Sequence, residues 1–294
     1  MAAHLGASGH LPEHLEALLA RFPLERSLAE DPLSGVRPLA SDRRSAEIAG
    51  IFAATLAIGN TTAIRGSFAE WVRRCGGDLT AFVDRQRAPR AGTAYADFRH
   101  RWIRGDQLVY LAYRLRKIEA EDGGLESVFL RGFEGPDGFA GGLDALSQAL
   151  RGPPAQGRPS GYAALFPSPL APSRSACKRM ALFVRWMVRT EYPDLGVWNR
   201  VSPAELRIPL DQHVFWISYH LGLTRRRTRG WPAVEEVTAA LRGFDPADPV
   251  KFDFALCHTG VSGDCPKRRD LSVCGACAVR PDCLLWHPAR RSAA

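Results

Sequence analysis

The sequence predicts an all-α protein, and three observations carry that expectation. Apolar residues recur at three- and four-residue spacing in one segment after another. No stretch alternates apolar and polar residues between turn signals, as a half-buried strand would. The clearest interruptions are two proline-rich breaks, at residues 152–172 and 245–249. No internal repeat is present.

In chain order, Leu15, Leu18, Leu19 and Phe22 keep helical spacing after Pro12. Residues 45–58 open with Ser and Ala-Glu and set Ile48, Ile51, Phe52, Thr55 and Leu56 on one side. Helical patterns follow over 107–118 and 143–150. Residues 152–172 then hold six prolines and three glycines, which reads as a loop or linker between two helical lobes. The strongest helix spans 177–189, with Met180, Phe183, Val184, Met187 and Val188 on its apolar face. Lys178, Arg185 and Arg189 form a basic stripe opposite. Residues 213–221 and 233–241 continue the pattern, and the break at 245–249 precedes a cysteine-rich tail.

With 294 residues the chain can bury a sizeable core, as one large domain or two small ones. Its 46% hydrophobic and 24% charged content is that of a globular protein. The longest apolar run, 48–59, is too short to cross a bilayer. No basic start or apolar core of a signal peptide opens the chain, so the expected location is cytoplasmic. A net charge of +8 and a pI near 9.4 favour polyanionic partners without naming one.

A cytoplasmic compartment keeps thiols reduced, so seven cysteines need an explanation other than disulfides. Cys75 and Cys177 stand alone and suit small buried hydrophobes. The tail reads Cys265-x8-Cys274-x2-Cys277-x5-Cys283. Four thiolates suit a tetrahedral zinc or an iron–sulfur cluster. Structural zinc usually takes two separated C-x2-C knuckles, and only one is present. There is no C-x-x-C-H, which excludes covalent haem. Ligand type alone leaves both open; with the resemblance given below, the expected cofactor is a 4Fe–4S cluster, with zinc as the alternative. Cys257, left over, is expected to be a buried thiol. Lys267, Arg268 and Arg269 lie within the first gap and read either as a solvated turn or as phosphate contacts.

Two further positions carry chemistry. The chain has four lysines against 35 arginines, and Lys178 sits at the start of the strongest helix. Lysine can lose its proton and attack carbon, whereas arginine cannot; taken alone, Lys178 reads first as a phosphate contact or a surface residue. Asp211 follows Pro209 and precedes a helical run, the place of a helix N-cap, which would hold its carboxylate rigidly.

Residues 177–187 (Cys-Lys-Arg-Met-Ala-Leu-Phe-Val-Arg-Trp-Met) and 208–214 (Ile-Pro-Leu-Asp-Gln-His-Val) resemble the archaeal 8-oxoguanine DNA glycosylases of the helix-hairpin-helix superfamily. Those enzymes carry a Lys-Thr-x-x-Phe-x-x-Lys-Met-type helix and, at similar separation, an Ile-Pro-Val-Asp segment. Residues 31–255 also resemble a family of bacterial conserved hypothetical proteins. The cysteine run is similar to the cluster loop of the endonuclease III and adenine glycosylase group, which reads C-x6-C-x2-C-x5-C; here the first gap is eight. The usual Leu-Pro-Gly-(Val/Ile)-Gly hairpin is absent, and Leu170-Ala171-Pro172-Ser173-Arg174-Ser175 holds its place.

The resemblance implies a two-lobed helix-hairpin-helix glycosylase-like fold with a C-terminal four-cysteine cluster loop. Its expected parts are a helical lobe over 45–170, a second lobe from 1–44 plus 171–255 carrying the Lys/Asp pair, and a cluster module over 256–294. It also implies a DNA repair glycosylase with AP lyase activity that excises an oxidised purine, 8-oxoguanine first among them. Lys178 would be the nucleophile and Asp211 the essential carboxylate. Arg174, Arg179, Lys267, Arg268 and Arg269 would contact DNA. The implied partner is double-stranded DNA containing a damaged base, bound by a nucleoid-associated monomer. Two alternatives stand beside this reading: a monofunctional glycosylase in which Asp211 activates water, and a non-catalytic DNA-binding protein that keeps fold and cluster. The run Arg225-Arg226-Arg227 with Arg229 reads first as a solvated turn, with DNA contact second; Phe98-Arg99-His100-Arg101-Trp102 suits nucleic acid and a packed helix edge equally.

Overall fold

A computed structural model describes residues 9–22, 31–90, 92–154 and 157–288. Helices dominate it, and the chain divides into two compact units.

One unit comprises residues 25–173 and 179–201. Its described part opens with the short helix α2 (Leu33–Val36); α1 (Leu11–Ala20) belongs to the other unit. Helix α3 (Arg43–Leu56) starts at Asp42, whose carboxylate accepts the Ser45 N–H while the Ser45 hydroxyl serves the Asp42 N–H. Asn60 and Asp78 cap α4 (Thr61–Arg74) and α5 (Leu79–Arg85), their side-chain oxygens accepting the N–H groups of Ala63 and Ala81. A minimal hairpin, β1 (Arg99–His100) with β2 (Ile103–Arg104), leads into α6 (Gly105–Asp122).

Helices α7 (Leu125–Phe133) and α8 (Gly138–Arg151) approach so closely that a Cβ on Gly132 would stand 2.1 Å from the Gly141 carbonyl oxygen. Glu47, buried on α3, accepts the N–H groups of Leu125 (2.9 Å) and Glu126 (3.3 Å) and the Trp198 indole N–H (2.9 Å). A buried carboxylate thereby caps α7 from another helix. Burial is the main cause that raises the Glu47 pKa, and those three donors oppose it.

Residues 152–172 are not a free linker. Tyr162 within them is fully buried and donates to the Leu150 carbonyl at 3.0 Å, and the whole stretch belongs to this unit. The proline content forbids long helix, but it does not forbid packing. The basic stripe expected on α9 (Lys178–Val188) also differs. Arg185 and Arg189 are buried, and both donate to Asp194 Oδ2, at 3.2 and 2.7 Å. A carboxylate supplied beyond the helix end makes burial of the two guanidinium groups tolerable.

The other unit comprises the described residues of 1–24, 174–178 and 202–294. It contains α1 (Leu11–Ala20), α10 (Gln212–His220), α11 (Trp231–Arg242), α12 (Asp253–Val261) and the short α13 (Leu271–Cys274). Helices α10 and α12 pack closely at Gly260, where an added Cβ would meet the His213 Cβ at 2.4 Å. The cysteine tail belongs to this unit rather than forming a separate body. Residues 31–44, 171–173 and 179–201 fall in the opposite unit from the one expected.

Candidate functional site

Lys178 is the first residue of α9, and backbone pairing holds Arg174 and Ser175 shortly before it. Ser175 bridges Gly230, and the Trp231 N–H donates to the Arg174 carbonyl at 2.7 Å. Arg174 (φ 43°) and Cys177 (φ 49°) both lie in the left-handed region, unusual for residues with side chains. Two strained positions thus lie within the four residues that deliver Lys178. Its side chain is half-buried.

Asp211 is the N-cap of α10. Its Oδ1 accepts the N–H groups of His213 (2.7 Å) and Val214 (2.9 Å), which fixes the carboxylate and leaves Oδ2 to other partners. The Cys257 thiol, on α12, donates to Oδ2 at 3.6 Å. The Cys257 pKa lies well above its ordinary value, chiefly through burial, with the Asp211 and Asp253 carboxylates adding to the shift. Lys178 opposes it, so ammonium, both carboxylates and thiol share one electrostatic neighbourhood. Cys257 and Asp253 carried no distinguishing spacing in the sequence; only the packing of α12 on α10 brings them here.

Cys265, Cys274, Cys277 and Cys283 line one small cavity, together with Ile217 and His220 of α10 and with Trp286. Burial pushes the thiols of Cys265, Cys277 and Cys283 up, and neighbouring cysteines add to each shift. Opposing this, backbone N–H groups are directed at three sulfurs. Lys267 serves Cys265, Val279 and Arg280 serve Cys277, and Leu285 and Trp286 serve Cys283. Donors two and three residues past a cysteine stabilise the thiolate, the form that binds metal. Lys267 (φ 59°) pays backbone strain at this turn. The indole N–H of Trp286 is buried with no acceptor, and Arg280 stacks over its ring at 4.7 Å. Among the described residues, no three His, Cys, Asp or Glu side chains are arranged to hold a single metal ion.

The loop is stapled to its unit. The Cys265 N–H donates to the Thr259 carbonyl (3.0 Å), the Leu284 N–H to the His220 carbonyl (2.7 Å), and Arg21 to the Ala276 carbonyl (3.0 Å). His14 Nδ1 lies 2.6 Å from Asp282 Oδ2.

The remaining basic residues differ in what holds them. Arg174, Arg268 and Arg269 are exposed and Lys267 is half-buried. Arg269 Nε donates to the Leu285 carbonyl, and Arg268 lies 3.9 Å from Asp270. Arg179 falls in the other unit and spends its guanidinium on the carbonyls of Thr55 (2.9 Å) and Leu165 (2.6 Å), as a backbone clamp.

These features define a helical protein with a carboxylate–thiol–ammonium cluster and a four-cysteine cavity in one compact unit. The chain belongs to the family described as "Protein of unknown function (DUF2400)", whose model matches residues 31–262. The matched stretch includes Lys178, Asp211 and Cys257 and ends before Cys265. No curated protein and no solved structure matches the chain. Among the described residues, no helix is long and apolar enough to cross a membrane.

Proposed function

We propose that the protein is a DNA repair glycosylase with AP lyase activity, acting on an oxidised purine such as 8-oxoguanine in double-stranded DNA. One observation carries the reading: the rigidly capped carboxylate of Asp211, contacted by the Cys257 thiol, lies in the same compact unit as Lys178. A nucleophilic amine and a fixed negative charge are the two groups that base excision with strand cleavage requires.

In this mechanism Lys178 Nζ, as the neutral amine, attacks C1′ of an extruded nucleotide. The C1′–N9 bond breaks, and the purine leaves with the electron pair and takes up a proton. Asp211 Oδ2, the oxygen not committed to the helix cap, stabilises the cationic sugar as that bond lengthens. Nζ then gives up its second proton, the sugar ring opens at O4′, and an iminium forms between Nζ and C1′. Loss of a C2′ proton expels the 3′ phosphate by β-elimination.

The cysteine cavity fits a 4Fe–4S cluster in its donor set, with four thiols, backbone donors toward three of the sulfurs, and an indole N–H lacking an acceptor. Cys265, Cys274, Cys277 and Cys283 would hold the group, which when bound closes the loop and rigidifies it. Lys267, Arg268 and Arg269 would then meet phosphates on a fixed turn.

Borohydride trapping tests the reading. The protein should form a covalent adduct with an 8-oxoguanine or abasic duplex, because hydride reduces the iminium to a stable amine. No adduct with either duplex, alongside intact DNA binding, would overturn the lyase assignment.

A further inference from the structure

The four arginines between Thr224 and Gly230 occupy an ordered turn rather than a loose one. Glu236 of α11 organises it: Oε2 accepts the Thr224 hydroxyl (2.7 Å) and the Arg225 N–H (3.2 Å), and Oε1 accepts Arg226 Nε (2.6 Å). The Thr224 hydroxyl in turn accepts the Arg226 N–H at 3.1 Å. At its far end the turn is pinned by the Ser175–Gly230 bridge and by the Trp231 N–H on the Arg174 carbonyl. Arg225, Arg227 and Arg229 are exposed, and among the described residues no carboxylate pairs with their guanidinium groups. Arg174, exposed as well, lies at the bridge itself, four residues before Lys178.

We propose that Arg225, Arg227, Arg229 and Arg174 form a phosphate-gripping surface that holds a nucleic-acid duplex beside Lys178. Three points favour this over a solvated turn. One carboxylate and one backbone bridge already fix the loop, so binding costs little ordering entropy. Glu236 neutralises only Arg226, which leaves a concentrated positive field on one surface. The bridge also ties that field to the segment delivering the nucleophile, and phosphate contacts serve to set register on a duplex rather than to read bases. The inference rests on the glycosylase reading for its choice of polyanion.

The test measures duplex affinity of the full-length protein by fluorescence anisotropy across a salt series, on undamaged DNA and on DNA with an abasic-site analogue. Replacing Arg225, Arg227 and Arg229 together by Gln should flatten the slope of log K against log salt by about 2–3 units, one per lost phosphate contact. The loss should be equal on both duplexes. Replacing the same three by Lys should restore most of the slope, since counterion release follows charge. Circular dichroism confirms folding of both variants. An unchanged slope in the Gln variant would overturn the surface while leaving the glycosylase reading intact. Wild-type protein that ignores duplex DNA yet binds anionic vesicles would overturn both.

Discussion

The Cys257 thiol donates to Asp211 Oδ2 at 3.6 Å, while Oδ1 of the same carboxylate is occupied by the N–H groups that open α10. Each oxygen of Asp211 therefore has a separate task. The thiol thus sits on the oxygen proposed to face the sugar. Cys257→Ala should lower base release about three- to tenfold, an effect of ~1 kcal/mol for one weak hydrogen bond to a charged group. Cys257→Ser, which keeps a donor, should retain more activity than Ala. Equal rates for all three proteins in single-turnover excision would remove Cys257 from the site.

Asp211 itself carries a structural role and a proposed chemical one, and two substitutions separate them. Asn is as good an N-cap as Asp, so Asp211→Asn should preserve stability yet cut base release by roughly 100-fold or more. Asp211→Ala should also lose about 1 kcal/mol of stability with the cap. A near-wild-type excision rate in Asp211→Asn would make the carboxylate a cap and nothing more.

Lys178 is the half-buried first residue of α9, and Gln has a helix propensity close to that of Lys. Lys178→Gln should thus fold normally and bind duplex DNA. Strand nicking and borohydride trapping should both disappear. A trapped adduct persisting in this variant would identify another nucleophile.

The helical architecture was legible because amphipathic spacing survives in the sequence wherever a helix buries one face. The expected helix over 45–58 corresponds to α3, and that over 177–189 to α9. Helices α4, α5, α7 and α12, and the short α2 and α13, were not read. Helix α4 buries only Ile64, Phe68 and Trp71 in fourteen residues, and α12 is apolar on nearly every side. The Asp211 cap was legible, since a cap is a local device. Its contact with Cys257 was not, because 46 residues separate the two and only the α10–α12 packing joins them. Burial of Arg185 and Arg189 depended on Asp194, a partner that helical periodicity does not reveal.

Metal removal should reach beyond the cysteine loop. Helix α10 begins at Asp211 and ends at His220, whose carbonyl holds Leu284 beside the cavity; α12 carries Cys257 and then Thr259, whose carbonyl holds Cys265. Protein purified without oxygen should be yellow-brown with about four irons per chain. Cys274→Ala or Cys277→Ala should lose the metal and lower Tm, whereas Cys75→Ala should keep it. Stoichiometric zinc without iron after anaerobic reconstitution would exclude the iron–sulfur centre.

The loop cations invite a comparison with the arginine turn. Arg269 is tied to the Leu285 carbonyl and Arg268 lies near Asp270, so some of their reach is already spent. Replacing Lys267, Arg268 and Arg269 by Gln should flatten the salt slope by about 2 units. An unaltered slope would mean that the loop faces away from DNA.

Gly260 tests whether the α10–α12 crossing sustains the candidate site. An added methyl group would meet the His213 Cβ at 2.4 Å and Nδ1 at 2.7 Å, far inside contact distance. His213 Nδ1 is also buried with no hydrogen-bond partner in the structure, so the ring has no polar tether that would guide a new position. Relief must come from moving α10 or α12, at a cost of about 1–3 kcal/mol for overpacking. The His213 N–H is one of the two groups that fix Asp211 Oδ1, and Cys257 is three residues before Gly260, one turn along the same helix. Gly260→Ala should therefore lower Tm by several degrees and, below Tm, reduce base release without changing duplex affinity. Unaltered excision in a measurably destabilised Gly260→Ala protein would show that the Asp211–Cys257 geometry does not depend on this crossing.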